Sequence, residues 1–466
     1  LGNEHCELLK KSFQKPVNGL LLQAMLFSLP PAIRGGSLSS KLRHGFLGLV
    51  KPKKRSQERR WISKILASVC WLSCKLFTNL FFELERRGLK MKKYALIMAI
   101  AFMLCLFVGF GTAGAEDTFK FGALVPLTGT QAVMAEDLST GFKLAEEDVN
   151  AAGGVLGKPV QLIIEDTETR PAPGMDAARK LLDVDKVGVI AGGFSSGVAL
   201  PIAKLCQSKG ILFVAGAPTS PLFADVGDYV FMTDVLDKFK GKVIADLAIG
   251  DSGKKKFGLM FMNNAFGMAL REETIKNLKD QGAEIVTDVV YELNKVDYKA
   301  ELQRLFAKKP EAIIGTWYAK EGMVTAKQAY EMGLLNVKKV PWYCPEMVSS
   351  YAEAIKEIPD ALEGIKGLTP LPPGLLYTEK FKKKMGRDPI TAYAAMNYDA
   401  LVMVAMAANF ANSTDPAAMR DAIWKIADFY RGQSTGGDKR FVDGGVQGYG
   451  KYETVIIKGG EFIPYK

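Results

Sequence analysis

The residue types best suited to recognition chemistry fall in short turns that end apolar runs. Gly192-Gly193-Phe194-Ser195-Ser196-Gly197 follows the run Val187–Ala191 and enters a helical segment. Backbone N–H groups at a helix N-terminus, with two hydroxyls beside them, suit a carboxylate or a phosphate. The same residues also suit a plain serine cap after a tight glycine turn. Gly216-Ala217-Pro218-Thr219-Ser220-Pro221 follows Ile211–Ala215 and adds a second polar turn. Further along, Asn263-Asn264-Ala265-Phe266-Gly267, Trp317-Tyr318 and Trp342-Tyr343-Cys344-Pro345-Glu346 set aromatic groups and one acid at strand ends. An acid facing an anion site across a cleft would bind a zwitterion between aromatic walls. The alternative for Glu346 is an ordinary solvated loop carboxylate.

What is missing narrows the chemistry. Both histidines, His5 and His44, and four of the six cysteines, Cys6, Cys70, Cys74 and Cys105, precede residue 116. From Glu116 onward a Ser-His-Asp triad, a Cys-His pair, a histidine-ligated metal and a four-cysteine zinc site are excluded. No nucleophile elbow, H-E-x-x-H or Walker A sequence is assigned, so an exported α/β enzyme is the weaker reading and no catalytic residue, metal or cofactor is expected. Cys206 and Cys344 allow at most one disulfide, and free thiols are expected. Gly109-Phe-Gly111-Thr-Ala-Gly114 matches G-x-G-x-x-G, but no strand precedes it.

Met91-Lys92-Lys93, the apolar run Tyr94–Phe110 and Ala113-Gly114-Ala115 have the three-part build of a secretory signal peptide. The exported protein then begins at Glu116 and is periplasmic. Residues 1–90 are expected to be a leader outside the folded protein, and an uncleaved 94–110 segment acting as a membrane anchor is the rival. Residues 1–115 hold 19 Lys+Arg against 5 Asp+Glu, which leaves 42 and 45 of the total 61 and 50 in the exported part. The basic balance therefore belongs to the leader, and the run Lys51–Arg60 lies there too. No nucleic-acid partner is expected.

From Glu116 the chain alternates strand-like and helix-like segments. The apolar patterns predict strands at 119–125, 160–164, 187–191 and 211–215, with helices at 139–150, 175–182 and 197–208 between them. A second series predicts strands at 257–262, 285–291, 312–317 and 340–344, and helices at 268–281, 298–307 and 322–332. Helices at 392–410 and 417–429 and a hairpin at 452–457 and 461–464 end the chain. Repeated βαβ units imply an α/β fold with two doubly wound, Rossmann-like parallel sheets.

Pro126-Leu-Thr-Gly129, Asn150-Ala-Ala-Gly-Gly-Val-Leu-Gly-Lys158, Gly193-Phe-Ser-Ser196, Ala217-Pro-Thr-Ser-Pro221 and Pro345-Glu346 together resemble the periplasmic Leu/Ile/Val-binding proteins, type I solute-binding proteins of ABC amino-acid importers. The resemblance spans Glu116–Lys466. It implies a two-lobed clamshell with 116–235 plus 368–436 in one lobe and 236–367 plus 446–466 in the other, hinged near Asp234, Leu368 and Gly436–Val446. It implies an amino acid, branched-chain or otherwise apolar, as ligand, a permease in the inner membrane as partner, and a monomer. An amide or urea, an aromatic or organic acid, or a ligand-sensing role are the alternatives. By resemblance, Ser195 and Ser196 hold the ligand carboxylate, Ala217 gives a backbone carbonyl to the ammonium, and Thr219 gives a hydroxyl to the ligand. Tyr318 and Phe266 line the second lobe, and Glu346 pairs with the α-ammonium. Phe266 stands where relatives often have Tyr, and Phe194 occupies a position that is half of a small disulfide in some of them.

Overall fold

In β1 (Phe119–Val125), Phe119, Phe121, Ala123 and Val125 enter one core while Leu124 enters another on the opposite face. A strand covered on both sides requires that alternation, because successive side chains point to opposite faces. The computed structural model describes residues 117–234, 236–434, 441–442, 446–447 and 452–465. The expected leader at 1–90 and the expected signal segment at 91–115 lie outside these residues. Strands β2 (Val160–Asp166), β3 (Val189–Gly192), β4 (Leu212–Ala215) and β5 (Val230–Met232) complete a parallel array in the order β2-β1-β3-β4-β5. Helices α1 (Ala135–Ala151), α2 (Pro171–Asp183) and α3 (Ser196–Lys209) connect them.

The second array repeats the plan. Strands β6 (Lys256–Met262), β7 (Glu284–Tyr291), β8 (Ala312–Gly315), β9 (Trp342–Cys344) and β10 (Lys366–Pro370) run parallel in the order β7-β6-β8-β9-β10. Its helices are α4 (Asp237–Ser252), α5 (Ala265–Asp280), α6 (Lys299–Phe306), α7 (Ala319–Glu331) and the single-turn-and-a-half α8 (Met347–Tyr351). The chain then returns to the first lobe as α9 (Leu375–Met385), α10 (Tyr393–Ala411) and α11 (Pro416–Ala427). Helix α10 is buried along nearly its whole length and seals the face of β3 and β4. Short strands β11 (Phe441–Val442) and β12 (Val446–Gln447) extend the first sheet beyond β5, and the hairpin β13 (Tyr452–Lys458) and β14 (Glu461–Pro464) extends the second beyond β10. The fold is the expected α/β pair of doubly wound lobes.

Several elements depart from the sequence reading. Leu368 lies inside β10, bonded to β13 in the second sheet, so the crossing back to the first lobe comes after Pro370. Val446 pairs with Met232 of β5 and belongs to the first sheet, not the second. Gly436, at the start of the third expected hinge, lies outside the described residues. Strands β5 and β10 and helices α4 and α9 were not anticipated. In α4 the buried side carries Asp237 and Lys240 beside Ile244, Ala245 and Ala248, which breaks the apolar stripe that signals a helix. Cys206 and Cys344 are both free and buried, and burial pushes each thiol up to about 12, away from reactivity.

Candidate functional site

In doubly wound sheets the carboxyl ends of the strands beside the order reversal are open to ligands. At the end of β3, Gly192 and Gly193 have φ of +95° and +87° and Phe194 has +37°, a left-handed turn that swings the chain into α3. A β-carbon on Gly192 would stand 2.3 Å from the carbonyl oxygen of Leu124, so only glycine fits. Ser195 is the N-cap residue of α3, but its side chain makes no capping bond. Its Oγ instead lies 2.5 Å from the hydroxyl of Tyr318, which comes from the end of β8 in the other lobe. Ser196 Oγ accepts the amides of Thr219 and Ser220 at 3.1 and 3.3 Å, tying the turn after β4 to the turn after β3.

The second lobe answers with aromatic groups. Asn264 caps α5 by accepting the Gly267 amide at 2.7 Å, and its Nδ2 donates to Tyr318 Oη at 2.9 Å. Phe266 stacks on Tyr318 with rings 9° from parallel and centroids 6.5 Å apart. Burial raises the Tyr318 phenol, against smaller pulls from Ser195 and Asn264, so it remains protonated. Two further bonds cross between the lobes. Ala319 N donates to Gln131 Oε1 at 3.2 Å, and Lys320 N donates to the Thr130 carbonyl at 3.3 Å. The cleft is closed in this structure.

All seven residues singled out from the sequence line one cavity: Ser195, Ser196, Ala217 and Thr219 on one side, Phe266, Tyr318 and Glu346 on the other. Gln131, Phe194, Ser349 and Tyr393 complete the lining. The cavity volume for water centres is about 20 Å³, and one water needs about 10–15 Å³. A molecule much larger than water does not fit this cavity while Ser195 and Tyr318 remain in contact.

The floor of the site is ionic. Glu346, at the end of β9, is 4 % exposed and is not the solvated loop carboxylate of the alternative reading. Its Oε2 receives a hydrogen bond from Lys240 Nζ at 2.7 Å. Lys240 is wholly buried, stands 3.2 Å from Asp237 Oδ1, and lies 5.3 Å from the ring centres of both Phe266 and Tyr452. Burial works against its charge, yet Glu346 foremost, then Tyr452, Tyr393 and Asp237, hold the ammonium well above its ordinary value. Burial pushes the Asp237 carboxyl up to about 7 despite the opposing pull of Lys240 and the Thr219 hydroxyl.

Sequence reasoning missed Gln131, Lys240, Asp237, Ser349 and Tyr393. A signal for two of them existed: Asp237 and Lys240 are an i,i+3 ion pair immediately after a crossing segment. It also passed over one pattern, for Gly193-Phe194-Ser195-Ser196-Gly197 does spell the G-x-S-x-G of a strand-to-helix nucleophile elbow. The surroundings do not make it one. Ser195 Oγ meets a protonated phenol instead of a base, and no histidine exists beyond residue 44.

Residues 118–449 match the family model described as "Periplasmic binding protein". The Leu/Ile/Val-binding protein homolog 7 of Brucella abortus is 24 % identical over 355 residues, covering 72 % of this chain and 86 % of its own. Homolog 8 of the same organism is 26 % identical over 345 residues, covering 70 % and 84 %. Among solved structures, a leucine-binding protein LivK of Thermotoga maritima superposes with a TM-score of 0.67 at 23 % identity, covering 75 % of this chain and 98 % of its own. A solute-binding protein of an ABC transporter from R. palustris, in complex with benzoate, gives 0.65 at 20 % identity, covering 74 % and 95 %.

Proposed function

The chain belongs to the periplasmic binding protein family, and from that premise we propose that it captures a small carboxylate-bearing solute between its lobes and delivers it to the permease of an ABC importer. It does so as a monomer in the periplasm, exported by the 91–115 signal segment. Among the described residues, no helix is long and apolar enough to cross a membrane.

The observation that carries this reading is the meeting of Ser195, at the N-terminus of α3, with Tyr318 of the other lobe. A carboxylate seated on Ser195 and the first-turn amides gains hydrogen bonds and a favourable helix dipole. Closure then adds Tyr318, Phe266 and the interlobe bonds donated by the Ala319 and Lys320 amides to Gln131 and Thr130. Only contacts made to both lobes favour the closed form over the open one. Charge-assisted bonds of roughly 1.5–3 kcal/mol each would bring the affinity to about −8 kcal/mol, or micromolar. The ligand leaves chemically unchanged.

The likeness to Leu/Ile/Val-binding and leucine-binding proteins supports an apolar amino acid as that solute, with Glu346 as the partner of its ammonium. The Lys240–Glu346 pair supports a second reading, an acid that brings no ammonium. Calorimetry of the purified chain against a panel of amino acids, monocarboxylates, amides and ureas tests the common core of both. Micromolar binding of a carboxylate is expected, and binding confined to uncharged amides or ureas would overturn it.

A further inference from the structure

We infer that the cleft selects carboxylic acids lacking an α-ammonium group, and that Lys240 is the specificity-determining residue because its ammonium, behind the cavity wall, already neutralises the Glu346 carboxylate that a ligand ammonium would need. This rests on the capture reading above and narrows the class of ligand within it. Lys240 Nζ sits 2.7 Å from Glu346 Oε2, with no exposure to solvent. The other oxygen, Oε1, faces the Ser349 hydroxyl at 3.5 Å. A ligand ammonium placed on Glu346 would set a second full positive charge beside Lys240, on the same carboxylate and away from water. Like charges so placed repel strongly, because little solvent screens them. Asp237, the remaining acid of the cluster, pairs with Lys240 and does not line the cavity.

Gln131 gives independent support. It is wholly buried, lines the cavity, and its Oε1 accepts the Ala319 amide. That bond fixes the orientation of the amide, so the other terminal atom is the NH2 group. Nε2 has no hydrogen-bond partner among the described residues, and it is the one such buried side-chain atom on this lining. The unmet requirement of the site is therefore for an acceptor. A carboxylate oxygen satisfies it, and an amino acid brings one too, so Gln131 supports a carboxylate at this point of the cavity while giving an ammonium, which only donates, no partner. Phe194, Phe266 and Tyr393 supply the wall against which an apolar or aromatic acid would lie.

The test is titration calorimetry of the purified full chain with two matched pairs, leucine against 4-methylpentanoate and phenylalanine against 3-phenylpropanoate. The acid should bind at least about tenfold more tightly than its amino-acid partner in the pair that fits the cavity. Equal or tighter binding of the amino acid overturns the inference and leaves the capture reading standing. Binding by no member of either pair, nor by any other carboxylate, overturns both.

Two substitutions locate the cause. Lys240→Met frees Glu346 and should shift the preference toward the amino acid by about tenfold or more. An unshifted preference in folded protein removes Lys240 from the role. Should that variant not fold, Gln131→Glu decides. It keeps an acceptor for Ala319 N but turns the lone donor into a carboxylate, so affinity for the acid should fall at least about tenfold and fall further than affinity for the amino acid. An equal loss for both would overturn the proposed acceptor requirement.

Discussion

Helix α3 of 14 residues starts after β3 at Ser195, and α8 of 5 residues starts after β9 at Glu346. Both residues occupy the N-cap, and neither side chain caps its helix. Instead both point into the cleft between lobes that share one strand order. What differs is the company each keeps. Ser195 has a phenol opposite and glycines before it, so it offers hydroxyl and amide donors to an anion. Glu346 has a buried lysine behind it, so the charge that would face a ligand is already answered within the protein. Ser195 follows β3 while Glu346 follows β9, the counterpart of β4, so the shared topology delivers two N-cap positions one strand apart, and the buried neighbours decide their electrostatic meaning.

The comparison is broken most forcefully at Lys240. Lys240→Met leaves Glu346 and Asp237 as buried carboxyls without their common cation. Removing one partner of a buried pair costs about 3–5 kcal/mol, most of it the penalty of the charge left behind. Urea unfolding near neutral pH should show that loss, and Lys240→Met combined with Glu346→Gln should recover part of it, since the couple acts as a unit. A loss below about 1 kcal/mol in the single variant would mean the pair is not buried as described.

This ionic floor is also where the sequence was least legible. Most strands and helices follow from local signals, apolar runs and glycine turns, with β5 and β10 among the exceptions. The turns carrying the seven cleft residues were legible as hydroxyls, aromatic groups and an acid at strand ends, and their individual roles came only from the family resemblance. Glu346 was legible as an acid at a strand end, but its partner lies 106 positions away on a helix whose buried face is polar. Local periodicity cannot register a helix that buries Asp237 and Lys240, because the pattern looks for apolar residues there. Gln131 was hidden for a similar reason, since only closure of the second lobe onto Ala319 gives its amide a fixed orientation.

A sharper probe of the floor is pH. Burial raises the Asp237 carboxyl from 3.8 to about 7, with Lys240, the Thr219 hydroxyl and Glu346 as its neighbours. The folded state then holds a proton that the unfolded chain has released, so the contribution of Asp237 to stability falls as pH rises from about 4 to 7 and is level above. The sign is opposite to that of Asp251, whose carboxyl is lowered by Lys366, Tyr343 and Tyr465 in the face of burial and which stabilises as pH rises. The difference in stability between the native chain and Asp237→Asn isolates the first term. It should change by at most about 4 kcal/mol across that window, in favour of the variant at the upper end. A difference independent of pH would show that Asp237 is ionised throughout and that the floor carries a net negative charge.

The smallest expected effect tests the other half of the comparison. Ser195→Ala removes a hydroxyl that meets Tyr318 across the cleft and that a ligand carboxylate would meet in its place. The first-turn amides of α3 remain, so binding should weaken by only about 1–2 kcal/mol. Stability should hold within about 0.5 kcal/mol, because Ser195 caps nothing in this structure. Its neighbour gives the contrasting result. Ser196→Ala deletes the acceptor for the amides of Thr219 and Ser220, both buried, and should lower stability by about 1–3 kcal/mol. Two adjacent serines would thus separate, one acting on affinity and the other on folding. If Ser195→Ala instead lowers the unfolding midpoint and leaves affinity unchanged, Ser195 is a helix cap after all, and the first lobe loses the donor that distinguishes it from the second.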